Sequence, residues 1–145
     1  MLDPALAAAF AATSYEFRLD RTVYALRLGK PCPPLDAALT RMRADSITCI
    51  SAHNPGAARV SDAENKAALA GLWAQMEISE WQAFKHVGRP DEDAGWPAEE
   101  GVAILDIPLD QAGEVARLWR QLAFVTYRRG DVARLVFSTD LTTLY

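Results

Sequence analysis

The sequence predicts an α+β fold, a two-layer sandwich of helices on one sheet. Apolar runs of strand length alternate with segments whose apolar residues recur at helical spacing. Of the 145 residues, 50% are hydrophobic and 23% charged, the balance of a globular chain. No repeat, low-complexity tract or long linker divides the chain. Residues 1–145 are therefore expected to form one domain, with 1–45 as an N-terminal addition and 138–145 as a tail.

The elements follow in order. Asp3 caps a short Ala-rich helix to about Ala12, with Pro4 at its first position. A strand lies within Thr22–Leu28, with Tyr15–Leu19 extended before it. Lys30-Pro-Cys-Pro-Pro34 breaks the chain rigidly. Leu35, Ala38, Leu39 and Met42 then mark a helix to about Arg43. Ile47–Ala52 is a strand that runs into the turn His53-Asn54-Pro55-Gly56. Ser61 caps the next helix, and Glu64 three residues on completes a capping box. Trp81–Val87 is a strand, Gly88–Glu100 a polar loop, and Val102–Ile107 a strand buried on both faces. Asp110 is expected to cap a further helix. Leu122–Tyr127 and Ala133–Phe137 make a hairpin around Arg128–Asp131.

From Ile47 onward this order is β-α-β-β-α-β plus one extra strand, the split βαβ pattern of a ferredoxin-like core. The residues before it form a helix–strand–helix addition. A mixed sheet with the N-terminal strand at its centre is the alternative. In the split βαβ arrangement His53, Asn54, the capped helix start, His86, Trp96, Glu99, Glu100 and Gln121 gather at one end of the sheet.

Net charge is −4, which argues against general nucleic-acid binding, since that needs a net basic face to neutralise phosphates. Asp91 to Glu114 holds eight acids and no base, whereas Arg117 to Arg134 is mostly basic. Two solvated faces explain this most simply; a complementary contact in a homo-oligomer is the alternative. No apolar run approaches a membrane span. The N-terminus lacks the positive region of a signal peptide, and Cys32 and Cys49 read as reduced thiols. A cytoplasmic location is expected. The arginine-over-lysine and alanine bias suggests a bacterial source.

The motifs resemble a known family. Ser51-Ala-His-Asn-Pro55, Ser61-Asp-Ala-Glu-Asn65, Gly95-Trp-Pro-Ala-Glu-Glu100 and Gln121 after a helix are, in this order and spacing, similar to bacterial domain of unknown function 3293. The resemblance extends from about Tyr15 to Val136. Gly101 and Leu122 depart from it, standing where a small polar residue and an asparagine are expected. The resemblance implies no reaction.

The candidate ligand-binding residues are Asn54, Glu64, Asn65, Trp96, Glu99, Glu100 and Gln121. Asn65 shares a helical face with Leu69, Leu72 and Met76, so its amide points inward and needs partners. The competing reading is that it ties the Asn54–Gly56 turn to the helix. Glu64 likewise reads either as ligand contact or as its own helix cap. Of the adjacent pair Glu99 and Glu100, one points inward and one to solvent, since strand side chains alternate.

The catalytic candidates are His53, His86, Glu99 and Glu100, as an acid–base pair in a small hydrolase or lyase. No nucleophile elbow surrounds Ser51, no glycine-rich phosphate loop exists, and Asp91–Asp93 lacks the spacing of a calcium loop. No cofactor and no metal are expected. The leading expectation is a domain that binds a small polar molecule or a peptide in a cleft at one end of the sheet. A structural or interaction module is the third reading.

Overall fold

In the computed structural model, residues 3–92 and 95–144 are described, Leu144 by its backbone alone. The chain begins with helix α1 (Pro4–Ala11), followed by strands β1 (Thr13–Leu19) and β2 (Thr22–Leu26) and helix α2 (Pro33–Arg41). Then come β3 (Ser46–Ser51), α3 (Asp62–Ser79), β4 (Ala83–Pro90), β5 (Glu99–Leu105) and α4 (Leu109–Leu118). Strands β6 (Ala123–Arg128), β7 (Arg134–Phe137) and the two-residue β8 (Thr143–Leu144) close the order. The strands form one sheet in the order β2-β1-β4-β5-β3-β6-β7-β8. Every pairing between them is antiparallel.

The N-terminal addition is a helix, two strands and a helix, not helix–strand–helix. Tyr15–Leu19 is not merely extended; it belongs to β1, which pairs with β2 and with β4. The hairpin turn is made by Asp20 at φ 55, a left-handed conformation that Asp tolerates. Beyond β2, Leu28 bridges to Ala133 and Gly29 N–H donates to the Ala133 carbonyl at 2.8 Å. This contact joins the two flanks of the sheet and curls it.

The curl gives the sheet two cores. Helices α3 and α4 cover one face, where Leu72, Met76, Ala112 and Ala116 meet Ile50, Val102, Ile104 and Phe124. On the other face Leu35 and Leu39 of α2 pack with Phe17, Leu26, Ile47, Tyr127 and Leu135. A plain two-layer sandwich therefore gains a second core on the concave side. Alternation along β3 divides its side chains between the two, Ile47 and Cys49 to one and Ile50 to the other.

Two boundaries differ from the sequence expectation in ways that bear on the site. The loop expected over Gly88–Glu100 is shorter, because β4 runs to Pro90 and β5 starts at Glu99. Gly88 thus sits in the sheet, between Tyr15 and Glu99 in register. The N-cap of α4 is Pro108, with Asp110 in the first turn instead of capping. Of the acids expected to be solvated, Asp91 and Glu92 are exposed, Asp91 pairing with Arg27 at 2.9 Å, and Asp93 lies outside the described residues. No helix among the described residues is long and apolar enough to cross a membrane.

Candidate functional site

The turn after β3 is built around Asn54. Asn54 takes φ 48, which asparagine tolerates, and Pro55–Ala57 forms a short 3-10 turn. Its side chain is almost fully buried, and both its oxygen and its nitrogen are hydrogen-bonded. Asn54 Oδ1 accepts from Val60 N at 3.1 Å and from Asn65 Nδ2 at 3.1 Å. Asn54 Nδ2 donates to Glu99 Oε2 at 2.6 Å, and Asn65 Oδ1 accepts from the Asn54 N–H at 2.8 Å. Asn65 therefore ties the turn to the first turn of α3. Glu64 is exposed, and its carboxylate accepts from Ser61 Oγ at 3.1 Å, while Ser61 Oγ accepts from Glu64 N–H.

Period-two alternation separates the paired acids. Glu99 faces the concave side, where its Oε2 also accepts from Trp96 Nε1 at 3.0 Å. Burial pushes its carboxyl above the usual carboxylate range, against the lowering effect of these two donors. Glu100 faces the opposite side, where its Oε1 lies 3.7 Å from Lys85 Nζ.

The two histidines part in the same way. His53 is half-buried; its Nδ1 accepts from Glu100 N–H at 3.3 Å, and its carbonyl accepts from Gln121 Nε2 at 3.0 Å. Burial moves its pKa down, with Glu100 and Asp62 acting in the other direction. His86 is only 3% exposed and its ring stacks on Tyr15. Burial drives its pKa down to about 4. The neutral ring must donate from Nδ1, because its partner at 3.0 Å is the Glu16 carbonyl, which only accepts. Nε2 is then a lone-pair acceptor.

A cavity opens on the concave side, between α1 and the ends of β3, β4, β5 and β6. The centre of a water-sized sphere can sweep about 90 Å³ of it, several times what one water needs. Asn54, His86, Trp96, Glu99 and Gln121 line it, with Ser51 and Tyr15. Leu6 and Phe10 of α1, with Cys49, Ala123 and Val125 of the sheet, supply apolar wall. A second, more open depression on the other side of the turn is lined by His53, Asn65, Asp62, Lys66 and Glu100, and by Asn54, which touches both. Glu64 lines neither. The nine candidate residues thus divide: five around the cavity, three confined to the depression, one on the surface.

The sequence reading missed the cavity's apolar side. Leu6 and Phe10 belong to an all-apolar helix with no polar stripe to signal a pocket. Gly88 was readable only as a loop residue, yet a Cβ there would lie 4.0 Å from His86 Nε2. Its missing side chain keeps the space beside that nitrogen open. No cluster of three or more metal-ligating side chains exists among the described residues.

A family model described as "Protein of unknown function (DUF3293)" matches residues 50–124, just over half of the chain. The chain belongs to DUF3293. No curated protein and no solved structure matches it. All nine polar candidates fall inside the DUF3293 match, whereas α1, β1 and β2 lie before it. The cavity is thus made by a wall from outside the matched segment facing a polar floor from within it.

Proposed function

We propose that this protein is a small-ligand-binding domain whose site is the concave cavity beneath α1. One observation carries the reading. His86 is almost wholly buried in the sheet, yet its Nε2 has no hydrogen-bond partner among the described residues. Among the described residues no buried side-chain nitrogen or oxygen lacks a hydrogen bond. An unpaired Nε2 is therefore an atom that opens onto the cavity, where a guest can reach it. The ligand enters against Phe10, Ala123 and Val125 and meets polar groups at Glu99, Gln121 and His86. Asn54 and Trp96 hold Glu99 in place, and Asn65 supports Asn54 from behind. The cytoplasm of a bacterium is the setting the composition suits. The order β4-β5-β3-β6 supports reading the central strands as a ferredoxin-like unit.

The hydrolase or lyase alternative is weaker on geometry. Among the described residues no histidine nitrogen bonds a carboxylate, and His53 faces away from the cavity. An acid–base reaction would have to run through His86 and Glu99 with the substrate between them.

An NMR titration of the labelled protein against a mixed fragment library tests the binding reading. Amide shifts confined to Gly88, Glu99, Gln121 and their strand neighbours are expected, reduced by Gly88→Ala. That alanine would make only ordinary contacts, 3.6 Å or longer, so it narrows the cavity without a clash. No saturable shift at these positions, with every fragment tried, would overturn the proposal.

A further inference from the structure

The cavity's hydrogen-bond chemistry is one-sided. Each O–H or N–H side-chain donor group on its lining already serves an acceptor of the chain. Tyr15 Oη–H donates to the Phe10 carbonyl at 2.8 Å, Thr13 Oγ1–H to the Ala9 carbonyl at 2.7 Å, and Ser51 Oγ–H to the Glu100 carbonyl at 2.9 Å. Trp96 Nε1 and Asn54 Nδ2 both donate to Glu99 Oε2. Gln121 Nε2 donates to the carbonyls of His53 and Trp119 at 3.0 and 3.3 Å, and His86 Nδ1 to Glu16. At most one amide hydrogen of Asn54 is left over.

What remains unpaired is acceptors. Glu99 Oε1, Gln121 Oε1 and His86 Nε2 make no hydrogen bond among the described residues. One of the three belongs to a carboxyl group, and among the described residues no lysine or arginine lines the cavity. A carboxylate or phosphate guest would meet three acceptors and no cation. An ammonium brings three donors and a positive charge, which suits such a lining. The surrounding rings of Phe10, Tyr15 and Trp96 favour a cation as well, through their electron-rich faces.

Resting on the binding reading above, we infer that the cavity takes a protonated primary amine attached to an apolar body. The ammonium is held by the unpaired acceptors of Glu99, Gln121 and His86, and the body lies against α1. The same chemistry is offered by a small free amine and by the amino terminus of a peptide with an apolar first residue. The enclosure under α1 favours the smaller guest.

Three probes with the same six-carbon chain length decide the matter by NMR titration at neutral pH: hexylamine, hexanol and hexanoate. Hexylamine should bind tightest, and Glu99→Gln should weaken it about tenfold or more, the worth of one charge-assisted hydrogen bond. Glu99→Gln keeps an acceptor for Asn54 and Trp96, and a retained melting temperature verifies that the fold survives. Gly88→Ala is the second variant and should weaken hexylamine without touching any charge. Hexanoate or hexanol binding as well as the amine would overturn the inference and leave the binding reading standing. Failure of all three probes, with the fragment library also silent, would overturn both. An undiminished affinity in Glu99→Gln would likewise overturn the inference. Competition by a leucyl tripeptide then separates a peptide terminus from a free amine.

Discussion

Asn54 and Asn65 bond each other in both directions: the Asn54 backbone N–H donates to Asn65 Oδ1 at 2.8 Å, and Asn65 Nδ2 donates to Asn54 Oδ1 at 3.1 Å. The pair clamps the turn after β3 onto the start of α3. Because Asn54 also holds Glu99, the clamp sets the position of an acid in the cavity without Asn65 touching that cavity. Asn65→Ala removes an acceptor from a buried backbone N–H and a donor from a buried amide. It should cost about 1–3 kcal/mol in chemical denaturation. Asn65→Asp keeps the acceptor and loses the donor, and should recover part of the loss. A fully stable Asn65→Ala would mean that the turn is held by other contacts.

Gly101 has a steric reason to be glycine. It pairs with Ser51 across the β3–β5 ladder. A Cβ built there would overlap the Ile50 carbonyl oxygen and come within 2.7 Å of Ser51 Cα. These neighbours are backbone and cannot swing aside. Gly101→Ala and Gly101→Ser should both destabilise by about 3 kcal/mol or more, at or beyond the upper end of ordinary overpacking. The small polar side chain that the family resemblance leads one to expect at this position is thus excluded by this chain's backbone. A melting temperature unchanged in Gly101→Ser would show that the two strands separate easily.

Much of this architecture is legible in the sequence. The Ser61–Glu64 capping box starts α3 as expected, and the apolar runs locate the central strands. The gathering of distant polar residues at one end follows from strand and helix order alone. Other features are not legible, for identifiable physical reasons. Alternation says that Glu99 and Glu100 part ways, but only the strand register says that Glu99 faces the concave side. The same register, Gly88 opposite Tyr15 and Glu99, decides that His86 is buried beneath the cavity. The curl depends on the contact of Leu28 with Ala133, residues separated by most of the chain, and no local pattern encodes it. The all-apolar α1 reads as an ordinary helix, because a helix without a polar face does not reveal what it covers.

Stability should fall on mild acidification through His86. In the unfolded chain its imidazole takes a proton near pH 6.5, whereas in the fold burial holds its pKa at about 4. Between these values the unfolded state binds more protons, so stability rises with pH across this window and is lost as pH drops through it. The full effect is at most about 3 kcal/mol. His53, also lowered, acts in the same sense. Glu99 acts oppositely: its raised pKa gives stability that is present at low pH and lost as pH rises through its folded value. Urea midpoints from pH 4 to 7 should therefore slope upward in the wild type. The slope should flatten in His86→Gln and steepen in Glu99→Gln. An unchanged slope in His86→Gln would assign the acid sensitivity elsewhere.

Tyr127 joins four parts of the concave core through one oxygen, and Tyr127→Phe should expose how much the curl depends on it. Its side chain is fully buried at 0% exposure. The hydroxyl donates to Asp36 Oδ1 at 2.7 Å and accepts from the Cys32 N–H at 3.0 Å, just ahead of α2. Asp36 Oδ1 in turn accepts from the Gly130 N–H at 2.9 Å, which pins the β6–β7 turn to the same helix. Burial and the neighbouring Asp36 raise the phenol to about 12, so it stays a donor at any physiological pH. Phenylalanine fills the same space and leaves the Cys32 N–H without its acceptor and Asp36 without one donor. The cost should be about 1–3 kcal/mol. Hydrogen exchange should locate it, with faster exchange at Cys32 and Gly130 and little change in α3 and α4 on the other face. Uniform acceleration across both faces would instead mean that the two cores unfold as one unit.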